Sequence, residues 1–290
     1  MITVIGIYFF IVIGFVAKKI FNEIEGKTLV LLSTYFLQPF LTLWGIMLVP
    51  LNFDLIISPV AYLTAVFASL IFTFALGVTL KDKKEKIIAS LTPLIGNTGN
   101  LGIPLSYALF GNTGASIATI INLANIFFIY SFGIFFFASG KYDFKNAFFK
   151  IVKIPVLWVG ILALAFNING VVFNSEIMKI LQMGAFASIV IQLLIFGIYI
   201  AEIKLKETSL KLAGVTILNK FIVFPFIGFL ILKFFGLKPL YLKAVMLEIL
   251  TPLAVTNVNL AALFDLYPRK VAMLVIVTSI VFLPVIFLII

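Results

Sequence analysis

The side chains that could do chemistry in this sequence gather in two short stretches. The first, Thr92–Leu105 ("TPLIGNTGNLGIPL"), sets Asn97, Thr98 and Asn100 among Gly96, Gly99 and Gly102, between Pro93 and Pro104. The second repeats it at a constant offset of 159: Leu91-Thr92-Pro93-Leu94 returns as Leu250-Thr251-Pro252-Leu253 and Asn100-Leu101 as Asn259-Leu260, six of twelve positions, with Thr256 and Asn257 between. Amides and hydroxyls of this kind donate and accept hydrogen bonds, and they hold a ligand without reacting with it. Cysteine and histidine are both absent, which excludes disulfides, thiolate or imidazole metal sites and Cys/His nucleophiles. No G-x-x-x-x-G-K-[ST] loop occurs, so no nucleotide is expected to drive the protein and no cofactor or metal is implied.

The elements that position these residues are membrane helices. Of 290 residues 63% are hydrophobic and only 11% charged, too apolar for a domain whose surface must face water. Apolar stretches long enough to cross ~30 Å of hydrocarbon recur throughout. They fall at residues 2–17, 29–49, 55–80, 87–110, 113–138, 151–166, 177–201, 212–235, 240–266 and 269–290, and the expected fold is an all-α membrane protein of ten transmembrane helices. The first stretch has cations after it and none before, the reverse of a secretory signal, and reads as a retained helix.

Charge gives the expected direction of threading, because Lys and Arg are retained on the cytoplasmic side. With the N-terminus outside, sixteen cations fall in cytoplasmic loops: Lys18, Lys19, Lys27; Lys81, Lys83, Lys84, Lys86; Lys141, Lys145, Lys150, Lys153; Lys204, Lys206, Lys211; Arg269, Lys270. Four, Lys179, Lys233, Lys238 and Lys243, fall outside. Both termini are then extracytoplasmic. The net charge of +10 follows from topology, with no nucleic-acid partner needed.

Five stretches precede the basic loop at 139–150 and five follow it, dividing the chain into repeats 1–138 and 151–290. An odd number of crossings per half makes equivalent halves inverted. The duplicated Thr-Pro stretch lies in the fourth span of each half, and a helix interrupted at both places is the pattern of a secondary transporter with its site at the midplane. Pro93 and Pro252 break the backbone ladder, and the three glycines admit unwound chain. The expected first break runs from a half-helix ending near Ile95 to one starting near Ile103, where Pro104 suits a first turn. N–H groups at that start, near Ile103, favour an anion. Asn97, Thr98 and Asn100, with Asn257 and Asn259 from the ninth span, are the expected ligand groups.

The stretch Gly96–Leu105 resembles the fourth-helix motif of the auxin efflux carrier family, which includes plant exporters and bacterial permeases described for malate. The resemblance extends over essentially the whole chain: ten spans, a basic loop after the fifth, Pro39 in the second, and Lys220 followed by Pro225 in the eighth. It implies the inverted-repeat crossover fold shared with bile-acid sodium symporters. Spans 1, 2, 6 and 7 would form a scaffold, and spans 3–5 and 8–10 a moving transport domain. Asn97 and Pro104 match the family's first crossover, and Asn257 falls in its second. Two departures matter: the long central loop of the plant type is missing, and Pro252 stands where the symporters carry a sodium-ligating glutamate.

Two ionisable groups lie deep. Glu248 is about eight residues, roughly 12 Å, into the ninth span, and Lys220 lies at similar depth in the antiparallel eighth. They are expected either to bridge the two helices or to take part in transport, with Glu248 carrying a proton or Lys220 meeting a carboxylate. Asn122 and Asn125 share a face of the fifth span. They would line the crossover, ligate a cation or serve as packing contacts. Gln38 and Gln192 are scaffold candidates for touching substrate.

The expected function is secondary active transport of small organic anions across the cytoplasmic membrane by an elevator-type movement. The rivals are a cation/proton antiporter or sodium-coupled symporter of the related fold, and a channel or sensor. The partners expected are the anion, a coupling proton or sodium ion, membrane lipid and a second copy of the chain.

Overall fold

The computed structural model describes residues 2–137, 155–202 and 209–286, with side chains from Gly6 onward. The basic loop at 139–150 with Lys141, Lys145 and Lys150, the start of the sixth apolar stretch with Lys153, and Lys204, Lys206, Ala138 and residues 287–290 lie outside the described residues.

The described chain is helical: α1 (Ile2–Ile20), α2 (Gly26–Met47), α3 (Phe53–Gly77), α4 (Lys83–Leu91), α5 (98–110), α6 (112–137), α7 (Pro155–Ile168), α8 (Ser175–Glu202), α9 (Leu210–Phe234), α10 (Pro239–Leu250), α11 (Thr256–Leu263) and α12 (Pro268–Ile286). Six helical runs are long and apolar enough to cross a membrane by length and composition: α2, α3, the run Thr98–Phe137, α8, α9 and α12. The protein is an all-α, multi-pass membrane protein.

Local sequence sets the starts and bends. Asn52, Asp82 and Ser209 cap α3, α4 and α9 by accepting from the backbone N–H three residues on. Accepting the Glu85 amide, and then the Tyr267 hydroxyl, holds Asp82 below the usual carboxylate range. Gly111, at φ 63 and ψ −150, is the corner between α5 and α6, a conformation that a side chain resists. Of the four wide, π-type turns among the described residues, three, Ser33–Leu37, Thr98–Gly102 and Asn219–Val223, end two residues before a proline, at Pro39, Pro104 and Pro225, and the fourth, Ile129–Gly133, has none. A proline has no N–H to return to the carbonyl four residues back, so the helix widens in the preceding turn.

Packing sorts the helices into two groups. α1 lies along α8, and α2 packs on both α8 and α7. Gly14 and Gly197 bring α1 and α8 into backbone contact, since a side chain at either would overlap a main-chain carbonyl of the other helix. In the second group α3 packs on α4, α6 and α9, α10 on α5, and α11 on α12. The groups meet where Ser116 of α6 bonds the Gly45 carbonyl of α2 (2.5 Å).

The ion pairs of the described residues, each with neighbouring hydrogen bonds, lie at two opposite ends. At one, Lys18 pairs with Glu202 (3.2 Å), Lys84 with Asp265 (2.5 Å) and Lys270 with Glu85 (2.8 Å), and Lys211 reaches the Thr79 carbonyl (2.5 Å). At the other, Lys238 pairs with Asp54 (2.9 Å), Asn52 bonds Tyr241 (2.6 Å) and Asn167 holds the Ile46 and Val49 carbonyls (2.7 and 2.9 Å). α3, 25 residues and so about 37 Å long, runs between them.

Candidate functional site

Two helices are interrupted in mid-course. After α4 a tight turn at Thr92–Leu94 leads to non-helical backbone at Ile95 and Asn97. After α10 the chain is non-helical from Thr251 until α11 begins at Thr256. The unwound pieces pair: Asn97 N donates to the Pro252 carbonyl (2.8 Å) and Ala254 N to the Ile95 carbonyl (3.0 Å), an antiparallel bridge centred on Gly96 and Leu253. Leu253 N donates to Thr278 Oγ1 of α12 (3.2 Å), and Asn125 Nδ2 of α6 donates to the Gly96 carbonyl (3.1 Å). Unpaired backbone in hydrocarbon costs several kcal/mol per group, and these bonds remove that cost.

The α-helical part of the second half-helix begins at Ile103, and a wide, π-type turn at Thr98–Gly102 extends the helical run back to Thr98. Leu101 and Gly102 N–H both return to the Asn97 carbonyl, and Ile103 N–H is consumed by Thr98. The wide turn ahead of Pro104 takes up the residues expected to be loop. The N–H groups left open are therefore those at Thr98–Asn100. Ile103 and Pro104 are buried inside the helix, away from the cavity described next.

Thr98 and Thr256 begin α5 and α11, and both starts open onto one cavity of about 140 Å³. Its polar wall joins the two breaks (Asn97, Thr98, Asn100, Thr256, Asn259) to α6 (Asn122, Asn125), α2 (Ser33, Thr34, Gln38) and α8 (Gln192, Tyr199). Three buried wall groups have no partner among the described residues: Asn97 Nδ2, Ser33 Oγ and Gln192 Oε1. No ionisable carboxylate or cation is among the lining residues. The structure thus brings together Gln38, Asn97, Thr98, Asn100, Asn122, Asn125, Gln192 and Asn259, with Gly96 and Gly99 supplying backbone. A side chain at Gly99 would press on the Asn122 amide.

Asn257 is not brought there. Its Nδ2 is held by the Ile95 and Ala254 carbonyls (2.9 and 3.0 Å), so it ties the two interruptions together, and Thr256 and Asn259 line the cavity in its place. Pro93, Gly102 and Pro252 also lie off the cavity and shape the breaks.

Lys220 and Glu248 lie behind the paired interruptions, both buried, and no ion pair within 4 Å joins them. Lys220 Nζ donates to the Pro93 carbonyl (3.0 Å), a cation at the negative end of the first half-helix. Glu248 Oε1 accepts from Ser106 of α5 (2.8 Å), and Oε2 has no hydrogen-bond partner. The carboxyl occupies the space that a side chain at Gly102 would fill. Equal depth in antiparallel helices leaves the two charges within electrostatic reach but outside ion-pair contact, because each head group reaches a nearer main-chain or hydroxyl partner on the broken helices.

Sequence reasoning missed Ser33, Thr34, Tyr130 and Tyr199 in the wall. Helical spacing carried a signal for two of them: Thr34 is one turn before Gln38, and Tyr199 is two turns after Gln192.

The membrane transport protein family matches residues 1–290. The chain belongs to this family, that of the auxin efflux carriers. Comparison with curated proteins gives no match. Membership makes the chain a membrane transporter of the auxin efflux carrier type, and the family is one of transporters, not of enzymes.

Proposed function

We propose that the protein is a secondary active transporter of small organic anions in the cytoplasmic membrane. The observation that carries this is the central cavity: two half-helix starts, each with roughly +0.5 charge of macrodipole, open onto it beside the unpartnered Asn97 amide and Ser33 hydroxyl. Such an arrangement takes an anion without a fixed cation. The volume bounds its size, being close to the ~150 Å³ of an engineered cavity that accepts benzene. Gln192 Oε1 supplies an acceptor for a hydroxyl on the same molecule. A cation-exchange reading is disfavoured by a wall without carboxylates and by Pro252 at the symporters' glutamate position.

The transport cycle we infer is an elevator. α4 with α5 makes one interrupted span and α10 with α11 another, giving ten spans in two inverted repeats. Ion pairs at two opposite ends support an alternating course, and the packing of α1, α2, α7 and α8 supports a scaffold against which the other helices move. The cavity lies at the seam between the groups. A larger neighbouring cavity of about 430 Å³ between α8 and α12 shares Tyr199, Val255 and Asn259 with it and reaches Glu202 and Arg269, offering an access route from the end where Lys18 pairs with Glu202. Positive-inside bias places that end in the cytoplasm. Glu248, with one free carboxyl oxygen against Gly102, is our candidate for coupling a proton to movement of the broken helices.

The test is uptake into proteoliposomes with a panel of small carboxylates, with and without a sodium or pH gradient. Saturable uptake with counter-exchange is expected. Linear flux without exchange would make the protein a channel, and uptake of cations alone would overturn the anion reading.

A further inference from the structure

Three residues stand between the ligand cavity and the larger cavity beside it. Tyr199, Val255 and Asn259 line both, so each has atoms facing either space. The partition draws on both helix groups: Tyr199 comes from α8, while Val255 and Asn259 come from the second break and the first turn of α11. Only Tyr199 is large. Its ring is seated against the start of α2, where Gly26 is buried and has no side chain; a carbon added there would lie 3.5 Å from Tyr199 Cζ, at van der Waals contact. The two sides of the ring differ in kind. Toward the ligand lie the amides and hydroxyls of Asn97, Thr98 and Gln192, and on the far side Phe196, Ile200 and Val258 present apolar surface.

The geometry points to Tyr199 as a specificity-determining residue: its ring sets the upper size of the anion by closing the small polar cavity off from the apolar space behind it. The inference rests on the anion-binding reading above. Its physical basis is volume. About 140 Å³ is close to the ~150 Å³ that accepts one benzene ring, so a carboxylate bearing a single ring fills the site. A second ring must enter the space that the phenol holds. The main chain at Gly26 leaves the phenol little room to retreat on the α2 side, and overfilling a packed site is unfavourable. Without the Tyr199 ring the two spaces join. An added ring on the ligand then reaches the cavity of about 430 Å³ and buries apolar surface against Phe196, Ile200 and Val258.

The test measures equilibrium binding of carboxylates that differ by one added ring, benzoate with biphenyl-4-carboxylate and succinate with phenylsuccinate, to purified full-length protein. In the pair whose smaller member binds more tightly, the wild type is expected to favour that smaller member by about tenfold or more. Tyr199→Ala should abolish or reverse the preference by strengthening the bulkier probe. Tyr199→Leu, apolar but shorter than the ring, should move it the same way and decides the matter if Tyr199→Ala does not fold. Tyr199→Phe keeps the ring and should keep the preference. Folded Ala and Leu variants that still discriminate by the wild-type factor overturn the filter while leaving the anion reading standing, and so does a wild type that binds both members of each pair equally. A preference lost in Tyr199→Phe as fully as in Tyr199→Ala assigns the effect to the hydroxyl and also overturns a limit set by size. A wild type that binds none of these carboxylates sinks the anion reading and the filter with it.

Discussion

Gly96 and Leu253 face each other in an antiparallel backbone bridge that joins the interruptions of the two broken helices. Each break supplies the partner that the other lacks, through Asn97 N to the Pro252 carbonyl and Ala254 N to the Ile95 carbonyl. The duplicated threonines do matching work at the ends of the preceding half-helices: Thr92 Oγ1 bonds the Ile88 carbonyl (2.9 Å) and Thr251 Oγ1 the Glu248 carbonyl (2.7 Å). The two breaks are therefore one structural unit, and damage to either strand of the bridge should be felt in both.

Gly96→Ala tests this. A side-chain carbon there would lie 2.6 Å from Thr251 Oγ1 and 3.2 Å from Lys220 Nζ, so the Thr251 hydroxyl must leave the Glu248 carbonyl or the strands must shift. We expect a loss of about 1–3 kcal/mol, the usual cost of overpacking a tight site. Gly214→Ala, on an exposed face of α9 with nothing within 4 Å, should stay within about 0.5 kcal/mol. Thermal unfolding in detergent compares them, and equal midpoints would mean that the bridge is loose.

Threading is tested by labelling. The chain contains no cysteine, so single cysteines report cleanly. A cysteine at Lys84, in the end where Asp265, Glu85 and Lys270 meet, should react with an impermeant maleimide only from the cytoplasmic side. One at Asn112, exposed beside the Gly111 corner, should react only from outside. Labelling of position 84 in intact cells would reverse the assignment.

The sequence carried much of this because prolines and polar residues are scarce in an apolar chain, so each one marks something. Pro93, Pro252 and the repeated threonines locate both interruptions, and the prolines at 39, 104 and 225 locate three of the wide turns. What it could not carry is azimuth. Residue spacing gives depth, and it put Lys220 and Glu248 at one level, but the direction of each side chain depends on how helices pack. Asn257 is the same case: one residue from Thr256 and two from Asn259, it faces the Ile95 carbonyl while they face the cavity. The wide turn at Thr98–Gly102, ahead of the α-helical start at Ile103, was not legible because a turn of glycines and polar residues reads as loop in a propensity argument.

The separation of the buried charges predicts unequal roles for them. Glu248→Gln keeps an acceptor for Ser106 and should leave folding within about 1 kcal/mol of wild type while removing proton-driven accumulation and sparing exchange. Lys220→Met cannot donate to the Pro93 carbonyl and should cost about 1–3 kcal/mol through that unpaired group. Comparing melting with uptake separates the two. A Glu248→Gln protein that still accumulates substrate on a pH gradient removes that carboxyl from the coupling.

Asn97 and Asn257 occupy the two breaks, yet their amides have different work. Asn97 Nδ2 is buried in the cavity wall without a partner, a donor waiting for something that is not protein. Asn257 Nδ2 is spent on two carbonyls. Removing a donor to a bound carboxylate costs about 1.5–3 kcal/mol, so Asn97→Ala should weaken binding by roughly tenfold to a hundredfold with little change in melting. Asn257→Ala should instead lower the melting temperature by unpairing the Ile95 carbonyl, and its effect on affinity should follow that loss of stability. Titration and melting of both purified variants, with the tightest-binding carboxylate as probe, give the comparison. If Asn97→Ala melts early and binds normally while Asn257→Ala does the reverse, the cavity at the half-helix starts is a packing defect and the ligand is held on the other side of the paired interruptions.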